Sequence, residues 1–125
     1  MSLKKSRAVL DEAQKNLDSE AYNSCVYSSY LAMFHSARSI LFRDGVREKS
    51  HFCLARYLER YVDSKHVEQK WIDLLDRIRD VRHAGQYDLA YSSTGEEAES
   101  CLRVARDFVE RMMSLFEKTE RAGAR

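Results

Sequence analysis

Apolar residues recur along most of the chain at the three- and four-residue spacing of amphipathic helices, and no stretch shows the two-residue alternation of a half-buried strand. This pattern predicts helices over residues of about 2–18, 20–44, 51–62, 67 to 82 or 83, and from a cap at Thr94 to about 118. Because the joints are short, neighbouring helices should lie antiparallel. The prediction is an all-α, up-and-down helical bundle of four to five helices, formed by residues 1–118 and followed by a frayed tail at 119–125.

The joints carry residues that favour helix ends. Gly45 suits a left-handed turn, Ser50 can cap the third helix, and Thr94 with Glu97 has the form of a capping box. The second helix is apolar on two sides, which is typical of a central or interface helix. The residues of the third helix that should face inward are Phe52, Leu54, Ala55, Leu58, Tyr61 and Val62.

Composition narrows the class of protein. With 125 residues, no proline and 4 glycines, the chain should form one helical domain. A formal net charge of +1 argues against nucleic-acid binding by bulk attraction, so any such binding should be local.

The three cysteines indicate the compartment. They are odd in number and widely spaced, at Cys25, Cys53 and Cys101, which predicts buried free thiols in a reducing compartment. Without an apolar signal core or a membrane-length apolar run, a cytoplasmic location without membrane contact is expected.

An arginine interrupts the apolar stripe of the fourth helix. At about 100° per residue, Arg82 falls in the middle of the arc formed by Trp71, Leu75 and Ile78. An unpaired buried guanidinium is costly, so Arg82 should reach water, pair with a carboxylate such as Glu12 or Glu110, or face an anion.

Further polar residues surround Arg82 in the stretch "RDVRHAGQYD". Arg79 lies about 60° to one side of it, and His83 about 100° around the helix. Gly85 would let the chain leave the helix, and Tyr87 could fold back over the helix end. The outer face carries Asp76 and Asp80, which are expected in surface pairs.

Three stretches, "YSSYLAMFHSARSILFRDGVREKSH", "RIRDVRHAGQYD" and "EEAESCLRVARDFVERMMSLF", give the chain a resemblance to the HEPN superfamily. The resemblance covers about residues 21–116 and is strongest to small stand-alone HEPN proteins related to toxin–antitoxin members. It implies a bundle that pairs into a homodimer, with the motif of each chain facing a shared cleft. It also implies a nucleotidyltransferase partner.

Many members of this family cut RNA without metal. Their motif is an arginine, usually followed by a polar residue, and then a histidine a few residues further on. The arginine neutralises the scissile phosphate, and the histidine moves the proton of the attacking ribose hydroxyl. By this resemblance Arg82 and His83 are the candidate catalytic residues, and Arg79 and Tyr87 join them in the candidate binding cluster.

The motif is incomplete in this chain, because Tyr87 stands where the family has histidine. A phenol with a pKa near about 10 is a poor general base at neutral pH. An alternative register, Arg77 with His83, places the two about 120° apart on one helix, so they would converge only if the helix ended early. In some branches a tyrosine near the motif receives nucleotides from the partner transferase, which makes Tyr87 a candidate acceptor.

These features favour an RNA- or nucleotide-binding protein of a toxin–antitoxin-like system, with weak or absent catalysis. Two alternatives stay open: a metal-independent endoribonuclease that uses Arg82 and His83, with help from His51, and a helical dimer without a ligand.

Four further residues, in two places, are candidates. His51 and Lys49, at the start of the third helix, could hold a phosphate, or could serve only capping and solvation. His35 and Arg38, which match the family block on the second helix, could contact the second subunit or line the site. No pair of histidines or cysteines has metal-site spacing, so no metal cofactor is expected.

Overall fold

Five helices make up the fold in a computed structural model that describes residues 3–47, 50–87 and 93–123, without the side chains of 82–87 and 120–123. They are α1 (Leu3–Asp18), α2 (Tyr22–Arg43), α3 (His51–Asp63), α4 (Gln69–Tyr87) and α5 (Gly95–Gly123). The described residues contain no strand, which confirms the all-α prediction. None of the helices in these ranges is both long and apolar enough to cross a membrane.

The predicted helix caps are present. The Ser50 hydroxyl accepts a hydrogen bond from the backbone N–H of Cys53 at 3.4 Å, and the Thr94 hydroxyl accepts one from the N–H of Glu97 at 3.1 Å. After α2, Gly45 adopts a φ of +82°, the left-handed conformation that favours glycine. Local sequence therefore determines where α3 and α5 begin and how α2 ends.

Helix α2 is the centre of the bundle, because it contacts all four other helices. Its buried residues pack with large side chains from α3, α4 and α5, each of which stabilises the fold by about 1.5–3 kcal/mol when fully buried. The largest fully buried members of this core include Met33, Ile40, Leu41, Leu54, Leu58, Ile72, Leu75, Phe108, Met112 and Leu115.

A polar cluster of Arg43, Asp44, Tyr57 and Tyr61, termed the Asp44 cluster, ties the end of α2 to α3. The Asp44 carboxylate accepts hydrogen bonds from the hydroxyls of Tyr57, at 2.8 Å, and Tyr61, and from the Arg43 guanidinium at 3.0 Å. Arg43 also donates to the carbonyl oxygen of Phe116 on α5 at 2.8 Å. The cluster therefore joins three helices.

Two helices are longer than predicted. Helix α4 continues to Tyr87, so Gly85 lies inside it rather than at its end. A glycine costs only about 1 kcal/mol in a helix interior, which is too little to end a helix that is otherwise well placed. Arg77 and His83 therefore stay on one continuous helix, about 120° apart. Helix α5 likewise extends beyond the predicted end at residue 118, to Gly123.

The prediction that Phe52 faces inward was wrong, because its side chain is 67% exposed. On a helical wheel it lies about 140° from the centre of the arc that holds Leu54 and Leu58. The prediction of buried thiols is correct for Cys25 and Cys101 and wrong for Cys53, which is exposed. Burial raises the pKa of the Cys101 thiol to about 11.

Candidate functional site

Helices α2, α3 and α4 meet at a group of side chains termed the His51 junction, which consists of Tyr30, His51, Arg56 and Asp76. The Tyr30 hydroxyl of α2 lies 2.9 Å from His51 Nδ1 at the start of α3. His51 Nε2 lies 2.7 Å from Asp76 Oδ1 of α4. One imidazole ring therefore connects three helices.

Hydrogen-bond chemistry determines which His51 nitrogen carries the proton. A carboxylate only accepts, so Nε2 carries the hydrogen and donates it to Asp76, and Nδ1 of the neutral ring accepts from the Tyr30 hydroxyl. Burial lowers the pKa of His51, and the positive charge of Arg79 lowers it further, although the hydrogen bond and charge of Asp76 act in the opposite direction. Only 9% of the His51 side chain is exposed, so burial favours the neutral form of the ring.

Asp76 also binds Arg56 through its second oxygen. The Nη2 atom of Arg56 donates to Asp76 Oδ2 at 3.2 Å, and its Nε atom lies 2.8 Å from a carboxylate oxygen of Glu59. The guanidinium lies over the ring of Phe52, 5.4 Å from its centroid. The predicted surface pair of Asp76 is present, with Arg56 as its partner, and the other oxygen of the same carboxylate also binds His51, which the sequence did not predict.

Arg79 belongs to the surroundings of the His51 junction. Its Nη1 atom is 3.7 Å from the Asp80 carboxylate, the kind of exposed pair that the sequence predicted for Asp80. The positive charge of Arg79, on α4, acts on the His51 ring at the start of α3 and lowers its pKa. Arg79 and His51, two of the predicted binding residues, therefore belong to the same region of the structure.

His35 and Arg38 form a second location on α2. The Arg38 guanidinium lies over the Phe42 ring at 4.8 Å. His35 Nδ1 and Arg38 Nε are both buried and have no hydrogen-bond partner within the described part of the chain. Burial lowers the pKa of His35, and the positive charges of Lys5 and Arg38 lower it further.

A row of aromatic contacts connects this location to the His51 junction. The ring centroids are 5.7 Å apart for His51 and Tyr30, 5.9 Å for Tyr30 and Phe34, and 6.3 Å for Phe34 and His35. The two histidines are thus linked through packed rings rather than by a direct contact.

The remaining candidates fall outside the description of side chains. Arg82, His83 and Tyr87 have their backbone in α4, but their side chains lie outside the described part of the structure, and Lys49 lies outside the described residues. The segment that holds the first three follows Arg79 directly along the same helix. Helix α4 therefore connects the His51 junction to the motif segment.

Sequence reasoning missed the partners of His51. Tyr30 was assigned to the core stripe of α2, and Asp76 to a solvent-facing position. Neither has a local signal for this contact, because the hydrogen bonds span 21 and 25 positions of the chain. The available hint was that Tyr30 and His51 both lie within the first stretch that carries the family resemblance.

Stability should fall as the pH drops from 7.5 to about 5.5, because His35 and His51 are both held neutral in the folded protein. A histidine pKa below its unfolded value of about 6.5 stabilises the fold above that pH, and the contribution is lost as the pH falls through the folded pKa. Urea unfolding at several pH values checks this. His35→Gln should reduce the dependence, and His66→Gln is the matched control. A free energy of unfolding that stays constant over this range would contradict the prediction.

Four helices packed around a central α2, with a polar segment at the end of α4, define this chain as an all-α helical bundle protein. A sequence model of the HEPN domain matches residues 1–116, so the chain belongs to the HEPN domain family and the resemblance is confirmed.

Similar proteins come from archaea and bacteria. One is the Methanocaldococcus jannaschii protein named "Putative toxin MJ0605", 26% identical over 85% of this chain and 84% of its own. Another is a Thermotoga maritima protein named "UPF0332 protein", 25% identical over 95% of this chain and 91% of its own. An Archaeoglobus fulgidus protein of the same name is 22% identical over 94% of each chain.

Proposed function

We propose that this HEPN protein binds RNA or a nucleotide through the α4 segment that contains Arg82 and His83. It acts as a homodimer beside a nucleotidyltransferase partner in a toxin–antitoxin-like system, with weak or absent catalysis. The observation that carries the proposal is the HEPN match over residues 1–116, which includes the whole of this segment. A relative of similar length that is named as a toxin supports the same role.

Arg82 is the proposed phosphate ligand. Its planar guanidinium offers paired donors that fit two phosphate oxygens. Arg79, one turn earlier on α4 and next to the His51 junction, supplies a second positive charge on the same helix. With a net charge of only +1, local arginines of this kind have to provide the attraction that a basic surface provides elsewhere.

The geometry of His51 favours binding over catalysis. Both of its ring nitrogens are engaged inside the protein, and a proton-transfer group needs a nitrogen within reach of the substrate. His51 therefore holds α3 against α4 in this proposal, instead of assisting His83. Tyr87, in the place of the family's histidine, supports the same conclusion.

Two measurements on the same protein test the proposal. Binding of a labelled single-stranded RNA should weaken by about ten-fold or more in Arg82→Ala, because a charge-assisted contact is lost. Arg77→Ala is the matched control: it removes an arginine from the same helix, about 140° around from Arg82, and should change the affinity by less than about two-fold.

Cleavage of a mixed RNA pool in the presence of chelator distinguishes binding from catalysis. Little or no cutting by the folded wild type agrees with the proposal. Cutting that is lost in both Arg82→Ala and His83→Ala would instead establish the endoribonuclease. An equal loss of affinity in the Arg77 and Arg82 variants, or no RNA or nucleotide binding by the folded wild type, would contradict the proposed site.

A further inference from the structure

A chain of side-chain contacts runs from the core to an exposed aromatic ring. It begins at the buried Tyr30 hydroxyl, passes through His51 to the Asp76 carboxylate, and continues to the Arg56 guanidinium. The guanidinium in turn lies over the ring of Phe52. Hydrogen bonds of 2.9 and 2.7 Å connect Tyr30, His51 and Asp76. The Asp76 carboxylate in turn accepts a hydrogen bond of 3.2 Å from Arg56, beside the Phe52 ring.

Phe52 is exposed in a way that packing does not explain. Among the described residues, Tyr27 and Phe52 are the exposed large hydrophobic side chains, at 43% and 67%. The other exposed residues of α3 are Cys53, Arg56, Arg60 and Asp63, three of which are charged. A protein interface of ordinary size needs a contiguous apolar centre, and Phe52 has mostly charged neighbours on this side of the helix.

We infer that Phe52 and Arg56 form a stacking platform for an unpaired base of single-stranded RNA, an inference that rests on the proposed function. Unpaired bases stack on aromatic rings and on guanidinium planes, and such stacking acts together with positively charged contacts to the backbone, which the proposed arginines of α4 supply here. Arg56 lies against the Phe52 ring, and the exposed remainder of the ring can receive the base.

Two exposed ion pairs favour the conformer in which Arg56 lies beside Phe52. Arg56 pairs with Glu59 at 2.8 Å and with Asp76 at 3.2 Å, which reduces the side-chain freedom that is lost on binding. Asp76 is itself held by His51. The buried His51 thus positions Asp76, and Asp76 positions Arg56 beside Phe52. In this inference Arg56 supports the ring as well as supplying a positive charge.

The position of the platform fits a strand that also reaches the motif segment. Asp76, which holds Arg56, precedes Arg82 by six positions on the continuous helix α4, or about 9 Å along its axis. The same six positions turn the helix by about 120°, so an RNA with a base on Phe52 has to pass partly around α4 to bring a phosphate near Arg82.

The test is the affinity of the full-length protein for a short, unstructured, fluorescein-labelled RNA, measured by anisotropy for the wild type and for variants of Phe52. Phe52→Ala and Phe52→Leu should each weaken binding by about five-fold or more, because leucine is apolar but offers no ring face. Phe52→Trp should keep the wild-type affinity. Tyr27→Ala, the matched control at the other exposed aromatic residue, should change the affinity by less than about two-fold. Binding to duplex RNA should be insensitive to Phe52→Ala.

Each other outcome has a definite meaning. If the wild type binds RNA and Phe52→Ala and Phe52→Leu both bind it equally well, the platform is wrong and the proposed function stands. If the folded wild type binds no RNA, an RNA-binding function fails and the platform with it. Light scattering on the same samples provides the last check, because a lower mass for Phe52→Ala than for the wild type would show that a second subunit covers the ring, which also overturns the inference.

Discussion

Replacing His51 by alanine is expected to lower the free energy of unfolding by about 2–4 kcal/mol. The change removes the acceptor for the Tyr30 hydroxyl and the donor to Asp76, and it leaves a void where a ring that is 9% exposed had packed. Each lost hydrogen bond is worth about 1 kcal/mol, and the void adds to that cost. Urea unfolding followed by circular dichroism measures the change.

A matched control and a double-mutant cycle make this test specific. His66→Ala removes a histidine in the joint between α3 and α4 whose Nδ1 hydrogen-bonds to the nearby Ser64 hydroxyl and whose ring packs edge-on against Tyr61, and should cost less than about 1 kcal/mol. Tyr30→Phe and His51→Ala should be non-additive, because both remove the same hydrogen bond. A cost below about 1 kcal/mol for His51→Ala would show that the junction does not stabilise the fold.

The helices and their caps could be predicted because their signals are local. The spacing of apolar residues identifies all five elements, and the hydroxyls of Ser50 and Thr94 contact N–H groups only three residues away. The end of α4 was misplaced because one glycine weighs little against the packing of a whole helix. Phe52 was misplaced because an apolar residue at the edge of a stripe is ambiguous on a helical wheel, and only the fold shows that no helix covers it.

The candidate site could be predicted only in part. The position of His51 at the start of α3 follows from its neighbour Ser50, but its partners come from two other helices, so their choice depends on how the bundle packs. Asp76 is a good example: its spacing on α4 favours solvent, and the approach of α3 turns it into a ligand of His51 and Arg56. The roles of Arg82 and His83 stay predictions from the family resemblance.

A second large effect is expected at the Asp44 cluster, where Asp44→Ala should lower the free energy of unfolding by about 2–4 kcal/mol. The carboxylate accepts hydrogen bonds from two tyrosines and one arginine, and its side chain is only 19% exposed. Removing it leaves Arg43 without its carboxylate partner and frees the end of α2 from α3. Asp44→Asn, which keeps the size but loses the charge, should cost less.

The pH dependence of this effect follows from the pKa of Asp44. Burial alone would raise that pKa, but the hydrogen bonds from Tyr61, Tyr57 and Arg43 outweigh burial and hold it below its usual value. The stabilisation is therefore fully present above about pH 4 and is lost as the pH falls through the lowered pKa. The pKa of Tyr61 is raised to about 12, chiefly by burial and then by the hydrogen bond and the charge of the same Asp44 carboxylate.

Urea unfolding between pH 7 and pH 3 separates the role of the Asp44 charge from general acid denaturation. The wild type should lose stability more steeply below pH 4 than Asp44→Asn, because the variant lacks the group whose protonation breaks the cluster. Asp63→Asn, at the exposed end of α3, is the matched control: it should stay within about 0.5 kcal/mol of the wild type at neutral pH and keep the wild-type slope in acid. Parallel curves for the wild type and Asp44→Asn would show that the tyrosines, rather than the carboxylate charge, hold the end of α2 in place.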